Sequence, residues 1–404
     1  MPMQPISAIE VFAEGYSAGK LFHLPDTREH VFRYESDHPI SLVMPPSPKD
    51  YVSKFHLHPI FDMNLPEGWL FEMLRNLLRK RLAREILDFD LFEALAPAVT
   101  GYLTYRTSPS EPSSIPLNLS LKDILSGRQE NLFHRLVEAY LLRSAISGVQ
   151  PKVLAPLCEK AFFPQKDFIV KTFGPEFPHL AENEFFCMQA VARAGIAVPR
   201  YFLSEDRRYF VVERFTEGRD GEPSLGFEEF CTLFGRTRNE KYEGSYEKIA
   251  KAIVRISSRP EEDLKTFFRM IVMNMLLKNG DAHLKNFGVL YTSPLSGDIR
   301  LAPAYDVVCT LVYLPDDSPA LTLGGRRIWF GKKELLTFGM ASCLLSAKEA
   351  DEQYRRCEAA VADTVGEIQR YCEENDGFSE FGRRMIDVFR TSLAQTKRIK
   401  GRTT

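Results

Sequence analysis

The stretch Leu-Leu-Lys-Asn-Gly-Asp-Ala-His-Leu-Lys-Asn-Phe-Gly-Val-Leu-Tyr, from Leu276 to Tyr291, decides how the rest of the chain is read. Ahead of it, Leu264, Phe267, Phe268, Ile271, Val272, Met275 and Leu276 recur at the spacing of one helix face. Asn279-Gly280 reads as the stop signal of that helix, because glycine adopts the left-handed conformation without a Cβ clash. Asp281 is therefore expected on a loop just past a buried helix. Phe287 to Tyr291 reads as a short strand, Ser293 to Asp298 as a turn, and Ile299 to Ala302 as the returning strand. That hairpin carries the chain through Leu-Ala-Pro-Ala-Tyr-Asp, ending at Asp306, back toward Asp281 and Asn286.

Asp-x-x-x-x-Asn, then a hairpin and a further Asp, is an order that suits phosphoryl transfer. That chemistry needs metal ions on the phosphates and a carboxylate to orient the attacking hydroxyl. In protein kinases the first Asp of such an arrangement is the base. The Asn and the second Asp hold Mg²⁺, a hard cation that prefers oxygen ligands. By this reading Asp281 is the base, and Asn286 and Asp306 are the metal ligands.

The preceding segments come in a matching order. Ser144 to Leu154 is a small turn with one glycine followed by an apolar run, able to turn backbone N–H groups toward an anion. Asp167 to Lys171 is a strand ending in lysine. Glu182 to Ala194 is a helix stopped by Gly195 and Pro199, and Tyr201–Leu203 and Tyr209–Phe215 are strands. Phosphate loop, strand with lysine, helix with carboxylates, two strands and a connector is the order of a kinase small lobe. Lys171 would then meet the α- and β-phosphates and pair with a helix carboxylate, Glu184 first and Glu182 second. The backbone of Glu213 to Phe215 would be the hinge against adenine.

The flanks are read more coarsely. Residues 1 to about 130 form an N-terminal region, with strands expected at Val31–Tyr34, Leu42–Met44 and Thr100–Thr107. A helix opens at Leu65-Pro66-Glu67-Gly68, and its basic run 79 to 84 reads as a solvated face. The Pro/Ser-rich stretch 108 to 116 reads as an exposed loop. Beyond 216 the chain is mostly helical. Gly324-Gly325-Arg326-Arg327 reads as a turn, Ser346-Ala-Lys-Glu349 as a capping box, and Phe378 to about Thr396 as a helix. The basic tail 397 to 402 reads as disordered. The division expected is thus 1–130, 131–215 and 216–404.

Composition sets bounds. A chain of 404 residues with 44% hydrophobic and 26% charged residues is an ordinary globular sequence. A net charge of −2 provides no basic field for strong, direct nucleic-acid binding. The seven cysteines are scattered and form no Cys-x-x-Cys, which reads as reduced thiols in the cytoplasm and no zinc site. The longest apolar run, Phe267 to Leu277, holds Arg269 and Asn274 and is too short to span a bilayer.

Four motifs in order resemble the HipA-type bacterial serine/threonine kinases: Ser-Gly-Val-Gln-Pro-Lys at 147–152, Val-Val-Glu-Arg-Phe at 211–215, Asn-Gly-Asp-Ala-His-Leu-Lys-Asn-Phe at 279–287 and Ala-Tyr-Asp at 304–306. Leu-Pro-Glu-Gly at 65–68 is similar to the N-terminal subdomain of the full-length members. The resemblance covers nearly the whole chain. It implies an α+β, two-lobed protein-kinase-like fold with an extra N-terminal subdomain and a mostly helical C-lobe. It implies ATP and Mg²⁺ as cofactors, and the toxin half of a toxin–antitoxin pair. A small helix-turn-helix antitoxin of the HipB type would be its partner, DNA would be met only through that partner, and an aminoacyl-tRNA synthetase is the kind of target known in the family.

Carried over by position, Asp281 is the base, Asn286 and Asp306 the Mg²⁺ ligands, and Lys171, Glu213 and Phe215 ATP-binding residues. Ser147, Gly148, Val149 and Lys152 form the phosphate loop, and His283 and Lys285 sit in the catalytic loop with ATP. Many members carry an autophosphorylated serine where this chain has Ala145, which leaves Ser147 and Ser144 as acceptor candidates. Two other readings stay open from the residues: a small-molecule kinase, since Gly280-Asp281 stands where protein kinases have Arg-Asp, and a non-catalytic co-repressor that kept the fold.

Overall fold

The structure, a computed structural model, describes residues 8–107, 121–126, 132, 136, 161–164, 168–174, 176–218 and 223–397. The turn at 144–154, with Ser144, Ser147, Gly148, Val149 and Lys152, lies outside the described residues. So do the Pro/Ser-rich stretch 108–116 and the tail from 398. The chain divides into two compact units. One comprises 1–176, 204–240 and 290–298, and the other 177–203, 241–289 and 299–404.

The first unit opens on an antiparallel sheet of five strands: β1 (Ala8–Ala13), β2 (Tyr16–Leu24), β3 (Glu29–Tyr34), β4 (Tyr51–Lys54) and β5 (Leu103–Thr107), in the order β4-β3-β2-β1-β5. In β1 the residues Ile9, Val11 and Ala13 are buried while Glu10 faces out, the period-two pattern of a sheet with one covered face. The β1–β2 hairpin was not anticipated. Its turn is Glu14-Gly15, both at positive φ (51° and 82°), the conformation that two-residue hairpins require. The covering side is aromatic: Phe61 lies 5.6 Å from Phe32 and 5.8 Å from Phe92, and Phe92 meets Tyr105 edge-on at 4.9 Å.

The expected strand at Leu42–Met44 does not form. Ser41 and Met44 make an isolated bridge around a turn, and Pro45-Pro46 removes the amides a strand would need. Ser41 and Leu42 instead bind the buried carboxylate of Glu228. The helix after Leu65-Pro66 runs Gly68–Leu82, with Leu70, Met73, Leu74 and Leu78 buried and Arg79 and Lys80 exposed. Arg84, just past its end, makes a bidentate pair with Asp90 at 2.7 and 2.6 Å. Farther along in the same unit, the strand Phe168–Thr172 pairs antiparallel with Ala161–Pro164 and with Tyr209–Glu213.

The second unit is built on the helix Pro260–Leu276. Pro260 stands at its start, where the missing N–H is harmless, and Glu261, Glu262 and Asp263 favour the positive end of the helix dipole. All seven apolar residues of the sequence-read face are buried. Against it pack the helices Tyr246–Ile256 and Ala347–Glu374. The latter begins with the expected capping box, Ser346 Oγ accepting from Glu349 N at 3.2 Å, and buries Tyr354, Cys357, Val361, Val365 and Ile368. Asp376–Lys397 is the last helix. Among the described residues no helix is long and apolar enough to cross a membrane.

Candidate active site

The chain leaves the helix Pro260–Leu276 through Lys278, whose φ of 56° makes the left-handed turn that the sequence assigned to glycine. Gly280 is needed for space rather than for its φ: a Cβ there would collide with the carboxylate of Asp317. Its N–H donates to Thr310 Oγ1 at 2.8 Å, and that hydroxyl in turn donates to Asp317. Asn279, read from sequence only as part of the stop, secures the loop. It donates to Asn274 Oδ1 at 2.9 Å, and its own oxygen accepts from Asp281 N at 3.2 Å.

Beyond Asp281 the chain makes one 3₁₀ turn, Leu284–Asn286. Asn286 is buried, and its side chain works in two directions. Its Oδ1 accepts from His283 N at 3.2 Å, capping the turn, and its Nδ2 donates to Asp306 Oδ2 at 2.9 Å. Asp306 itself sits at φ 56°, a left-handed conformation uncommon for any residue but glycine. Its neighbour Tyr305 donates to Lys285 O at 2.6 Å, a second tie between the two stretches. The strand Gly288–Tyr291 and the return at Arg300–Leu301 are shorter than read, and Ala302 N donates to Gly288 O at 2.9 Å. Next to Asp306, Cys309 is held on both its backbone groups by Asn183, with Asn183 Oδ1 accepting at 2.8 Å and Nδ2 donating at 3.0 Å.

Asn274, Asn279, Asn286 and Asp306 also line a cavity of ≈ 10 Å³ behind the loop, far too small for a nucleotide. Asp281 does not line it, and 39% of its side chain is exposed. Its Oδ1 accepts from the phenol of Tyr242 at 2.9 Å and lies 3.8 Å from His283 Nε2. Burial holds the Lys278 ammonium down to about 8, against a smaller opposing pull from Cys309, and the ring of Trp329 lies 4.9 Å from its Nζ.

Asp281, His283, Lys285, Asn286 and Asp306 thus come together in the second unit. Glu182 and Glu184 are there too, both buried on the helix Leu180–Arg193, with Glu182 3.1 Å from His179 Nδ1. Lys171, Glu213 and Phe215 belong to the first unit. Lys171 is buried on its strand with its Nζ 5.8 Å from the Phe210 ring, and Glu213 pairs with Phe168 across the same sheet. Phe215 meets Phe227 edge-on at 5.5 Å. Gly324 and Gly325 make the expected turn at φ 55° and 73°, but Arg327 also donates to Tyr242 O at 2.5 Å. Tyr242 was not singled out from sequence; no local pattern links it to a loop 39 residues on.

These elements make up a protein-kinase-like α+β fold with an extra N-terminal subdomain and a mostly helical C-terminal lobe. Residues 9–106 match the family model described as the HipA N-terminal domain, and residues 144–370 match the HipA-like C-terminal domain. The chain belongs to the HipA family. HipA of Shewanella oneidensis MR-1, solved with HipB and its operator DNA, superimposes with a TM-score of 0.70 over 98% of this chain and 100% of that one. It is 15% identical, so the likeness is one of fold. Two similar sequences are "Putative kinase Y4mE" of Sinorhizobium fredii, 28% identical over 60% of this chain, and a "Putative kinase" of Haemophilus influenzae, 32% identical over 42% of it. The matches span 62% and 53% of those two relatives' own lengths.

Proposed function

We propose that the protein is an ATP- and Mg²⁺-dependent serine/threonine protein kinase. The observation that carries the reading is the side-by-side placement of Asn286 and Asp306 in the loop that follows Asp281. The Asp306 carboxylate and the second lone pair of Asn286 Oδ1, whose first accepts from His283 N, are oxygen donors of the kind a hard cation takes. Among the described residues no group of three or more His, Cys, Asp or Glu could hold a metal ion. A two-residue site fits Mg²⁺, which keeps waters and shares phosphate oxygens rather than filling a protein cage. When bound there, Mg²⁺ neutralises charge on the phosphates. Asp281 orients the acceptor hydroxyl and takes its proton, Lys171 holds phosphate oxygens, and the backbone of Glu213 to Phe215 receives adenine. Ser147 to Lys152 serves as the phosphate loop, with His283 and Lys285 flanking the nucleotide.

In this reading residues 1–130 are the N-terminal subdomain, 131–215 the nucleotide lobe and 216–404 the catalytic lobe. The protein works as the toxin of a pair with a small helix-turn-helix partner of the HipB kind, and reaches DNA only through it. Its target is a component of translation such as an aminoacyl-tRNA synthetase, and Ser147 or Ser144 takes phosphate in self-modification. The HipB and operator DNA present with the Shewanella HipA support the partner.

The test is incubation with γ-labelled ATP. Label should pass to protein rather than to a metabolite, vanish on removal of Mg²⁺, and fall about 10²–10³-fold in Asp281→Asn. Transfer by Asp281→Asn within about threefold of wild type contradicts the assignment.

A further inference from the structure

Tyr242 reaches the candidate site from outside the catalytic stretch. Its segment is tied to the loop by Leu284 N, which donates to Lys241 O at 3.1 Å. Its ring stands edge-on to His283, with centroids 5.2 Å apart at 78°. Its backbone oxygen accepts from Arg327 at 2.5 Å, and its hydroxyl donates to Asp281 Oδ1 at 2.9 Å. Tyr242 is 41% exposed, so water competes for that hydroxyl. What keeps it on the carboxylate is therefore geometry, with the backbone held at one end and the ring against His283 at the other.

We infer that Tyr242 is a positioning residue for phosphoryl transfer: its hydroxyl fixes the plane of the Asp281 carboxylate and leaves Oδ2 for the substrate. The inference rests on the kinase reading above. An aspartate carboxylate turns in a broad, two-fold well about its last torsion, so without a donor its oxygens are poorly placed. A donor on Oδ1 selects one orientation. In the step itself the acceptor oxygen bonds to the γ-phosphorus. The bond from that phosphorus to the β–γ bridging oxygen breaks, its electron pair leaves on ADP, and the hydroxyl proton passes to Oδ2. Tyr242 touches none of the reacting atoms and acts through Asp281.

Tyr242→Phe keeps the ring against His283 and removes only the donor. With Mg²⁺ and γ-labelled ATP as the probe, counting label on protein plus free phosphate, kcat should fall roughly 10- to 100-fold. KM for ATP and the thermal midpoint should stay at wild-type values, a split that a merely structural role does not produce. Arg327→Ala, which frees the tyrosine backbone but keeps the hydroxyl, should lower the same kcat by less. An active wild type with Tyr242→Phe at an equal kcat, or with a kcat loss matched by a lower thermal midpoint, overturns this inference alone. A wild type that releases no γ-phosphate overturns the kinase reading and the inference together.

Discussion

Asn286 Nδ2 donates to Asp306 Oδ2 at 2.9 Å, joining two residues 20 positions apart in the chain. The bond ties the amide of Asn286 to the carboxylate of Asp306, while the amide oxygen accepts from His283 N and keeps a second lone pair. Asn286→Ala and Asp306→Asn should each lower Mg²⁺-dependent phosphate transfer about 10²–10³-fold. Both should also raise the Mg²⁺ concentration giving half-maximal rate. A Mg²⁺ titration of each variant checks this; an unchanged midpoint in both removes the metal role.

His30 and His58 are buried in the first unit, and burial lowers each from 6.5 to about 4. For His30 the neighbouring His23 and His58 push the same way. The folded state therefore binds fewer protons than the unfolded chain between those values. Stability from these rings is complete above pH 6.5 and is lost as pH falls toward 4, by at most roughly 3 kcal/mol per ring. Denaturant unfolding at pH 7.5 and pH 5 should show the loss, and the double variant His30→Phe/His58→Phe should show much less of it. An equal loss in that variant assigns the effect to other groups.

Glu228 has no surface exposure, and its carboxylate accepts three donors: Ser41 Oγ at 2.8 Å, Leu42 N at 2.7 Å and Tyr291 Oη at 2.7 Å. Burial pushes its carboxyl upward, and the three hydrogen bonds oppose that shift. Glu228→Gln offers one acceptor oxygen and turns an NH₂ toward a donor. It should destabilise the protein by about 2–3 kcal/mol. Tyr291→Phe removes one donor and should be milder. Equal midpoints for Glu228→Gln and wild type in urea contradict the role of the carboxylate as the tie between these segments.

Two glycines should respond in opposite directions. A Cβ on Gly19 in β2 would run into the backbone of Arg33 in the adjoining β3, so Gly19→Ala should destabilise by about 1–3 kcal/mol or more. Gly366 lies inside the helix Ala347–Glu374 with nothing within 4 Å of its Cβ position. Gly366→Ala should stabilise by about 0.4–1 kcal/mol, because alanine loses less backbone freedom on folding. Thermal unfolding of the two variants gives the sign of each.

Much of the second unit was legible because its signals are local. The helix before Asp281 shows itself in the 3.6-residue recurrence of large apolar side chains, and the capping box at Ser346 needs only four consecutive residues. The β1–β2 hairpin carries a local signal too, in Glu14-Gly15 between alternating apolar residues, but a weak one, because Glu is an unusual first turn residue. Leu42–Met44 was apolar enough for a strand, but a turn closed by Pro45-Pro46 stands there instead, with the Leu42 amide on a carboxylate 186 residues away.

Local order in the chain is what singles out Asp281, Asn286 and Asp306, at their spacing, on a loop after a buried helix and around a hairpin. Those are properties of composition and short-range order, since side-chain periodicity and turn residues act through the nearest few positions. Long-range packing is what makes Lys278 the left-handed residue, keeps Gly280 small beside Asp317, and brings Tyr242 to Asp281. Each of these depends on which distant atoms fill the space around a residue, and packing at that range leaves no periodic trace in the chain.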